Sequence, residues 1–252
     1  AATVKRLVPV SIAMLASFSL GCGNDPAVAP LECGLNLASD EELSSTPREN
    51  TNLEELAIVA TERVVAGQVE YSRVIRDVAV FRSMRPDLES IGFRAAFQQK
   101  IIIRADEATI TQMASGGYQH WDCLNQRFKV SNIQSGAGTP ERVDLEFDGI
   151  YHIPTLAARY SLLPGVESAT GGLTIGDGST LCLTPGEDTW HYVVDKGVGD
   201  CESGCIDHDY SYFITTLDGT VLDSGSWATQ SSDPKPQWVS NYVTPRACHG
   251  MY

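Results

Sequence analysis

Hydrophobic side chains recur at helical spacing between residues 53 and 82, in two stripes separated around Gly67. The stripes consist of Leu53, Leu56, Val59 and of Tyr71, Val74, Ile75, Val78, Phe81. Spacings of three and four residues place side chains on one helix face, so the pattern predicts two helices that pack on a core and end before Pro86. The β-branched pair Val64 and Val65 is equally compatible with a short strand.

Strand and helix patterns then alternate along the middle of the chain. Asp106 stands at the N-cap position of one helix, and Pro154 stands at the favoured first position of another. A glycine pair separates the first of these helices from an aromatic second helical piece at residues 118–128. Strands are predicted at residues 100–104, 129–134, 143–153 and 166–169. The predicted order is therefore β-α-β-β-α-β.

The predicted strand at residues 143–153 alternates apolar and acidic side chains. The two sets are Val143, Leu145, Phe147, expected inward, and Asp144, Glu146, Asp148, expected outward. Carboxylates that share a strand face are typical of a solvated surface. We therefore interpret Asp144 and Glu146 as surface groups rather than as the acid and base of a glycoside hydrolase.

The β-α-β-β-α-β order is the ferredoxin-like split βαβ arrangement. Residues 162–168, Leu-Leu-Pro-Gly-Val-Glu-Ser, resemble the close of the second helix and the last strand in subtilisin-type protease propeptides and the related small inhibitors. The resemblance covers residues 100–172. It implies a protease as partner, with a tail after the last strand that enters the protease cleft as a substrate mimic. Here that tail is residues 173–183.

An all-β pattern begins after residue 176. Residues 190–194 and 210–214 read as strands, and Asp218-Gly219 is a hairpin signal between β-rich runs. The segment around Gly199-Asp-Cys-Glu-Ser-Gly-Cys205 resembles a family of uncharacterised secreted bacterial proteins or lipoproteins. That resemblance implies no activity, but it supports a boundary near residue 176.

The N-terminal segment has the layout of a signal peptide. Lys5 and Arg6 precede an apolar run at residues 7–20, which is followed by Gly21 and Cys22. Ser19-Leu20-Gly21-Cys22 resembles the lipobox of bacterial lipoproteins, which implies lipid attachment at Cys22. The alternatives are plain secretion, with Cys22 free or paired, and a buried N-terminal helix.

These patterns define an expected organisation of an α+β protein. A ferredoxin-like core is preceded by two helices and followed by a disulfide-containing antiparallel β segment. The expected parts are a signal peptide at 1–21, a polar tether at 22–52, a helical lead-in with the ferredoxin-like core at 53–175, and the β region at 176–252.

Composition and charge exclude several partners. The chain of 252 residues is 42% hydrophobic and 20% charged, which is typical of a globular protein. Its formal net charge is -14, so it has no general attraction to nucleic acid or to anionic membranes. We expect contact with a membrane only through a lipid anchor.

The chain contains seven cysteines. If Cys22 carries lipid, an even set remains, and an oxidising compartment would pair it. Cys201 and Cys205 are expected to close a small loop, and the remaining four are expected to form longer links: Cys33, Cys123, Cys182, Cys248. The alternative is a zinc site in which Cys201, Cys205 and His208 are joined by His191 or His249.

Two further sets of residues are candidate sites. The acidic loop beside the cysteine pair could hold a metal ion through Asp200, Asp207, His208, Asp209 and His191. A set of aromatic residues is expected either to pack one face of a sheet or, if exposed, to bind peptide or glycan: Trp190, Tyr192, Tyr210, Tyr212, Trp227.

The sequence lacks the motifs of the common catalytic and cofactor sites. Gly-x-Ser-x-Gly, His-Glu-x-x-His and Walker loops are absent from it. We therefore predict no cofactor and an exported, lipid-anchored, non-enzymatic protein-binding module, in the form of a protease inhibitor or folding aid. One alternative is a metal-binding protein or hydrolase that uses the Asp200 to Asp209 loop. Another is a structural module of the cell envelope.

Overall fold

A computed structural model describes residues 51–89, 91, 97–135, 141–173, 178–199, 201, 204–244 and 247–248. The helices are α1 (Thr51–Thr61), α2 (Gln68–Met84), α3 (Glu107–Ser115), α4 (Asp122–Arg127), α5 (Ile153–Tyr160) and α6 (Gln237–Tyr242). The strands are β1 (Phe97–Ala105), β2 (Val130–Ser135), β3 (Arg142–Phe147), β4 (Val166–Leu173), β5 (Thr180–Pro185), β6 (Thr189–Val198), β7 (Asp207–Thr216) and β8 (Val221–Ala228). The predictions for the signal peptide, for nearly all of the tether, and for Cys22, Cys33, Asp200 and His249 lie outside the described residues.

The first sheet has the predicted ferredoxin-like topology. Its strands lie in the order β2-β3-β1-β4, and each neighbouring pair is antiparallel. Helices α3 and α5 pack on the same face of this sheet. On that face Ile101 lies opposite Leu145 and Ile103 lies opposite Val143, all four fully or almost fully buried. The α+β fold class is therefore confirmed.

The ends of the helices in this part follow from local sequence. The Asp106 carboxylate accepts a hydrogen bond from the Thr109 amide at 2.7 Å and so caps α3, as predicted. Gly116 ends α3 in the left-handed conformation, with φ of 75°, which favours glycine. Pro154 lies in the first turn of α5, and α4 is the predicted second helical piece. Strand β3 is shorter than predicted and ends at Phe147.

The second sheet has the strand order β5-β6-β7-β8 and is also antiparallel. Helices α1 and α2 pack on one face of it, which we call the inner face. Their core contains Ile58, Val78 and Phe81 from the helices together with Tyr192 and Phe213 from the sheet. The sequence-based organisation grouped these helices with the ferredoxin-like core instead. Helical periodicity identifies a buried face but does not identify what covers it.

Four further predictions from the sequence can be compared with the structure in and around this sheet. Residues Val64 and Val65 form no strand, because they lie in the connection between α1 and α2. Helix α1 begins at Thr51, inside the predicted tether. Gly219, with φ of 92°, completes the predicted Asp-Gly hairpin between β7 and β8. The described part of the predicted cleft-entering tail, β5, is instead a strand of this sheet.

The opposite face of the second sheet, which we call the outer face, is partly covered by the C-terminal segment. Val239 on α6 is buried there with Val193 and Tyr212, and the Cys182–Cys248 disulfide ties β5 to the end of the chain. Hydrogen bonds link the surroundings of the two sheets. Phe97 N donates to Glu55 Oε1 at 2.5 Å, His152 N donates to the Val64 carbonyl at 2.9 Å, and Thr155 Oγ1 donates to the Glu62 carbonyl at 3.1 Å. Among the described residues, no helix is long and apolar enough to cross a membrane.

Candidate functional site

The predicted aromatic site residues divide between the two faces of the second sheet. Trp190 and Tyr192 belong to the inner core beneath α1 and α2, whereas Tyr210 and Tyr212 belong to the outer cluster. These four side chains are buried, and Trp227 is partly buried beside the outer cluster. An open aromatic platform would need exposed rings, so these residues act mainly in packing. The strand register separates them, because Tyr192 is paired with Phe213, and the neighbouring Tyr212 therefore faces the opposite side.

A stacked row of rings lies on the outer face. Tyr210 stacks on Trp227 with centroids 6.0 Å apart, and His208 stacks on Tyr210 at 5.8 Å. Further along the sheet, His191 stacks on Tyr242 of α6 at 4.3 Å and donates to or accepts from the Tyr212 hydroxyl at 2.7 Å. Burial lowers the pKa of His191. These contacts hold α6 on the sheet.

The predicted metal ligands are not brought together. Cys201 and Cys205 form the predicted disulfide, so their sulfurs are not thiolate ligands. His208 Nδ1 lies 2.7 Å from Asp195 Oδ1, and His208 is paired in register with Gly197. His191 lies six residues from Gly197 on the same strand, which corresponds to roughly 20 Å.

The other acidic members of that prediction also act separately. The Asp207 carboxylate accepts a hydrogen bond from Thr229 Oγ1 at 3.2 Å and another from the Gln230 side-chain amide. Asp209 points instead to the cavity described below. The parts of the chain that the structure describes contain no cluster of three or more His, Cys, Asp or Glu side chains suited to a metal ion. Cys123, on α4, is disulfide-bonded as well.

The inner core contains a buried carboxylate, Asp77, that sequence reasoning did not single out. Its oxygens accept hydrogen bonds from Arg73 and Arg76 on α2, from Tyr192 Oη at 3.1 Å and from Thr215 Oγ1 at 2.7 Å. All of its partners are protein groups, and the residue is fully buried. Asp77 therefore joins α2 to the sheet rather than facing a ligand.

A cavity of about 340 Å³ lies where the inner face extends beyond the end of α2. One side is formed by Arg85, Asp87 and Leu88, which follow α2, and another by Ser231. The strand residues that line it are Lys196, Asp209, Tyr210, Ser211, Ser226, Trp227 and Ala228. Most lining groups are charged or carry a hydroxyl, so the cavity suits a small polar ligand.

The wall of this cavity is held in place by ion pairs. Arg85 donates from Nε and Nη2 to the two oxygens of Asp87, at 2.9 and 2.8 Å, and its Nη1 lies 3.6 Å from Asp223 on β8. The hydrogen bond from Arg85 lowers the pKa of the Asp87 carboxyl. The guanidinium is therefore fixed relative to the sheet before any ligand arrives.

The face of the ferredoxin-like sheet opposite its helices carries a charged network. Asp144 accepts from Arg142 Nε at 2.5 Å and lies 2.7 Å from Lys100 Nζ, while Asn132 donates to Glu146 at 3.0 Å. The hydrogen bond from Arg142, reinforced by Lys100, lowers the pKa of Asp144. Asp144 was expected to be solvated, but it is only 6% exposed and is paired with these two cations.

Together these features define the class of the molecule, an α+β protein in which a ferredoxin-like sheet lies beside a second, disulfide-linked antiparallel sheet. No protein-family model, curated protein or solved structure matches the chain.

Proposed function

We propose that this protein is an exported, lipid-anchored binding module that docks on a subtilisin-type protease as an inhibitor or folding aid. The observation that carries the proposal is a face of the ferredoxin-like sheet that none of the described helices covers, which we call the uncovered face. Among the described helices, α3 and α5 pack on this sheet, and both lie on its other face. An ordered, rigid strand surface is well suited to docking on a preformed partner.

Charge on the uncovered face favours a protein partner. Its described strands carry Lys100, Arg104 and Arg142 against Asp144 and Glu146, whereas the whole chain has a net charge of -14. This face therefore carries a slight excess of positive charge on an acidic molecule, a contrast that orients an approaching partner. Arg104 is exposed near the end of β1, opposite Arg142 and Ser168 in the neighbouring strands.

The docking mode we propose differs from that of the propeptides, in which a tail enters the protease cleft. Strand β5 occupies the corresponding segment and is covalently linked through Cys182 to Cys248. Contact would therefore depend on the sheet face alone. Export is supported by the disulfides, which persist in oxidising compartments, and by the signal-peptide and lipobox patterns of the sequence.

The metal-binding or hydrolase alternative has less support. Its cysteines are oxidised, and His208 is occupied by Asp195.

Binding to an active-site-blocked subtilisin-type protease tests the proposal. We expect micromolar or tighter binding by calorimetry, and Arg104→Glu should weaken it about tenfold or more, because it reverses an exposed charge on this face. Lys235→Glu is the matched control, since Lys235 is exposed outside this sheet. Absence of binding at micromolar concentration, or equal effects of the two variants, would refute the proposal.

A further inference from the structure

The docking surface proposed above does not involve the cavity beyond the end of α2. Two oppositely charged side chains stand beside each other in it. Lys196 on β6 and Asp209 on β7 are paired directly in register, and both line the cavity. Across the described part of the chain, neither side chain has a hydrogen bond or an ion pair within 4.0 Å. Opposite charges at directly paired strand positions usually attract each other. Because Lys196 and Asp209 form no ion pair, both side chains can contact a ligand.

The floor of the cavity offers an unused hydroxyl. Ser211 lies between these two residues and the core, is only 6% exposed, and lines the cavity. Its side chain has no hydrogen-bond partner among the residues that the structure describes. The residue is largely buried but lines the cavity, so its hydroxyl can form a hydrogen bond with a ligand there.

The remaining charges of the cavity already satisfy each other. Arg85 and Asp87 form a bidentate pair, and Lys196 acts on Asp87 only at longer range, as the smallest of the causes that lower the pKa of that carboxyl. The charges of the cavity without an ion-pair partner within 4.0 Å are thus one cation, Lys196, and one anion, Asp209. An anionic ligand would be attracted by Lys196 but repelled by Asp209. A cationic ligand would be attracted by Asp209 but repelled by Lys196.

We infer that this cavity binds a small zwitterion, an amino acid or dipeptide, with its carboxylate on Lys196, its ammonium on Asp209 and Ser211 as a further hydrogen-bond partner. The volume of about 340 Å³ is at the small end of the range of roughly 300–1,000 Å³ found for ligand pockets, which fits a ligand of this size. Such a ligand pairs both free charges at once. The site would make the protein a small-molecule sensor or carrier in addition to its proposed docking role.

Calorimetric titration of the full chain with the proteinogenic L-amino acids and glycylglycine tests the inference. At least one should bind saturably in the low millimolar range or tighter. N-acetylation of that ligand removes its ammonium, and amidation removes its carboxylate, so each change should weaken binding about tenfold or more.

Variants assign the two ligand groups to the two side chains. Lys196→Met should weaken binding of the unmodified ligand about tenfold but bind the amidated ligand as well as the parent does. Asp209→Asn should weaken binding of the unmodified ligand about tenfold but bind the N-acetylated ligand as well as the parent does. Both residues are exposed, so these variants should fold. Lys235→Met and Asp188→Asn are exposed controls outside the cavity and should bind like the parent.

Three results would overturn the inference: binding of none of these probes, binding that is insensitive to Lys196→Met and Asp209→Asn, or preference for a neutral sugar such as glucose over every zwitterion. Each leaves the protease-docking proposal intact, because that proposal rests on the other sheet.

Discussion

The two sheets of this protein are built in different ways. The ferredoxin-like sheet and the helices that pack on it come from one continuous stretch, β1 to β4, and its core is built mostly from that stretch, with Val59 and Val64 added from α1 and the connection that follows it. The second sheet follows this stretch in the chain, whereas α1 and α2, which cover that sheet, precede the stretch. Its key buried hydrogen bond, from Thr215 to Asp77, joins residues 138 positions apart. Local signals therefore suffice for the first part, whereas the second depends on long-range contacts.

The two disulfides whose cysteines are both described lie in the second part, whereas Cys123 on α4 is disulfide-bonded in the first. The Cys182–Cys248 disulfide closes a loop of 66 residues around the second sheet, and Cys201–Cys205 closes one of 4 beside β6. Long-range closure has the larger entropic cost, and a disulfide that spans it reduces the entropy of the unfolded chain. The predictions below test whether the second part relies on such distant contacts more than the first.

The largest effect is expected from Asp77→Ala. This change leaves Arg73 and Tyr192 without their buried partner and should lower the free energy of unfolding by about 3–5 kcal/mol, measured by urea denaturation. Asp188→Ala removes an exposed carboxylate of the same sheet and should leave stability unchanged.

Hydrogen exchange shows where the loss from Asp77→Ala falls. We expect α2, β6 and β7 to lose protection while β1 and β3 keep theirs. Equal loss of protection in both sheets would mean that the Glu55 and His152 hydrogen bonds make the two parts one cooperative unit. The two parts would then not differ in how they are stabilised.

The loss of stability on removing each disulfide should rise with the logarithm of the length of the loop that it closes. Replacing Cys182 and Cys248 by alanine should cost about 4 kcal/mol, and replacing Cys201 and Cys205 about 2 kcal/mol, on the chain-entropy estimate. Thermal unfolding of the two double variants under non-reducing conditions measures the difference. A larger loss from the short loop would show that local geometry, rather than distant closure, dominates.

The same contrast between local and distant contacts explains which parts of the fold could be predicted from the sequence. The Asp106 cap, the Pro154 start and the Asp218-Gly219 hairpin each depend on a few neighbouring residues, and the sequence indicated all three. The partner of the α1 and α2 stripes could not be predicted, because a helical apolar face is compatible with any core. Packing, rather than propensity, decided it.

The candidate sites were harder to predict than the fold. The cavity combines Arg85, Lys196, Asp209 and Ser211 from three separate segments, with no motif or spacing in common. Residues that the sequence placed in one aromatic set instead lie on two faces. Alternation alone could not have indicated this, because the division depends on the register between β6 and β7, in which Tyr192 lies opposite Phe213 rather than Tyr212.

Acid should weaken the ferredoxin-like part through His152. Burial lowers its pKa from 6.5 to about 4, so the folded protein holds it neutral while the unfolded chain takes up a proton below pH 6.5. The stability it supports is complete above pH 6.5 and is lost as the pH falls towards 4, by up to about 3 kcal/mol.

The His152 effect is measured as a difference between variants. His152→Gln should flatten the dependence of unfolding free energy on pH between 4 and 6.5, relative to the parent. The exposed His120→Gln should keep the parent's slope, because the carboxylates titrate alike in both proteins. If the two variants have the same slope, His152 is not the source of the acid sensitivity.

The smallest effect tests whether the first part is governed by local conformation. Gly116→Ala adds a methyl group that meets nothing within 4 Å, yet its φ of 75° is strained for alanine, so about 1 kcal/mol should be lost. The neighbouring Gly117→Ala meets only ordinary contacts, the nearest at 3.6 Å, without a positive φ, and should be neutral or slightly stabilising. Equilibrium unfolding of both variants separates backbone conformation from packing at adjacent positions. An equal loss at both glycines would mean that tertiary contacts, and not the end of α3, set the stability of this turn.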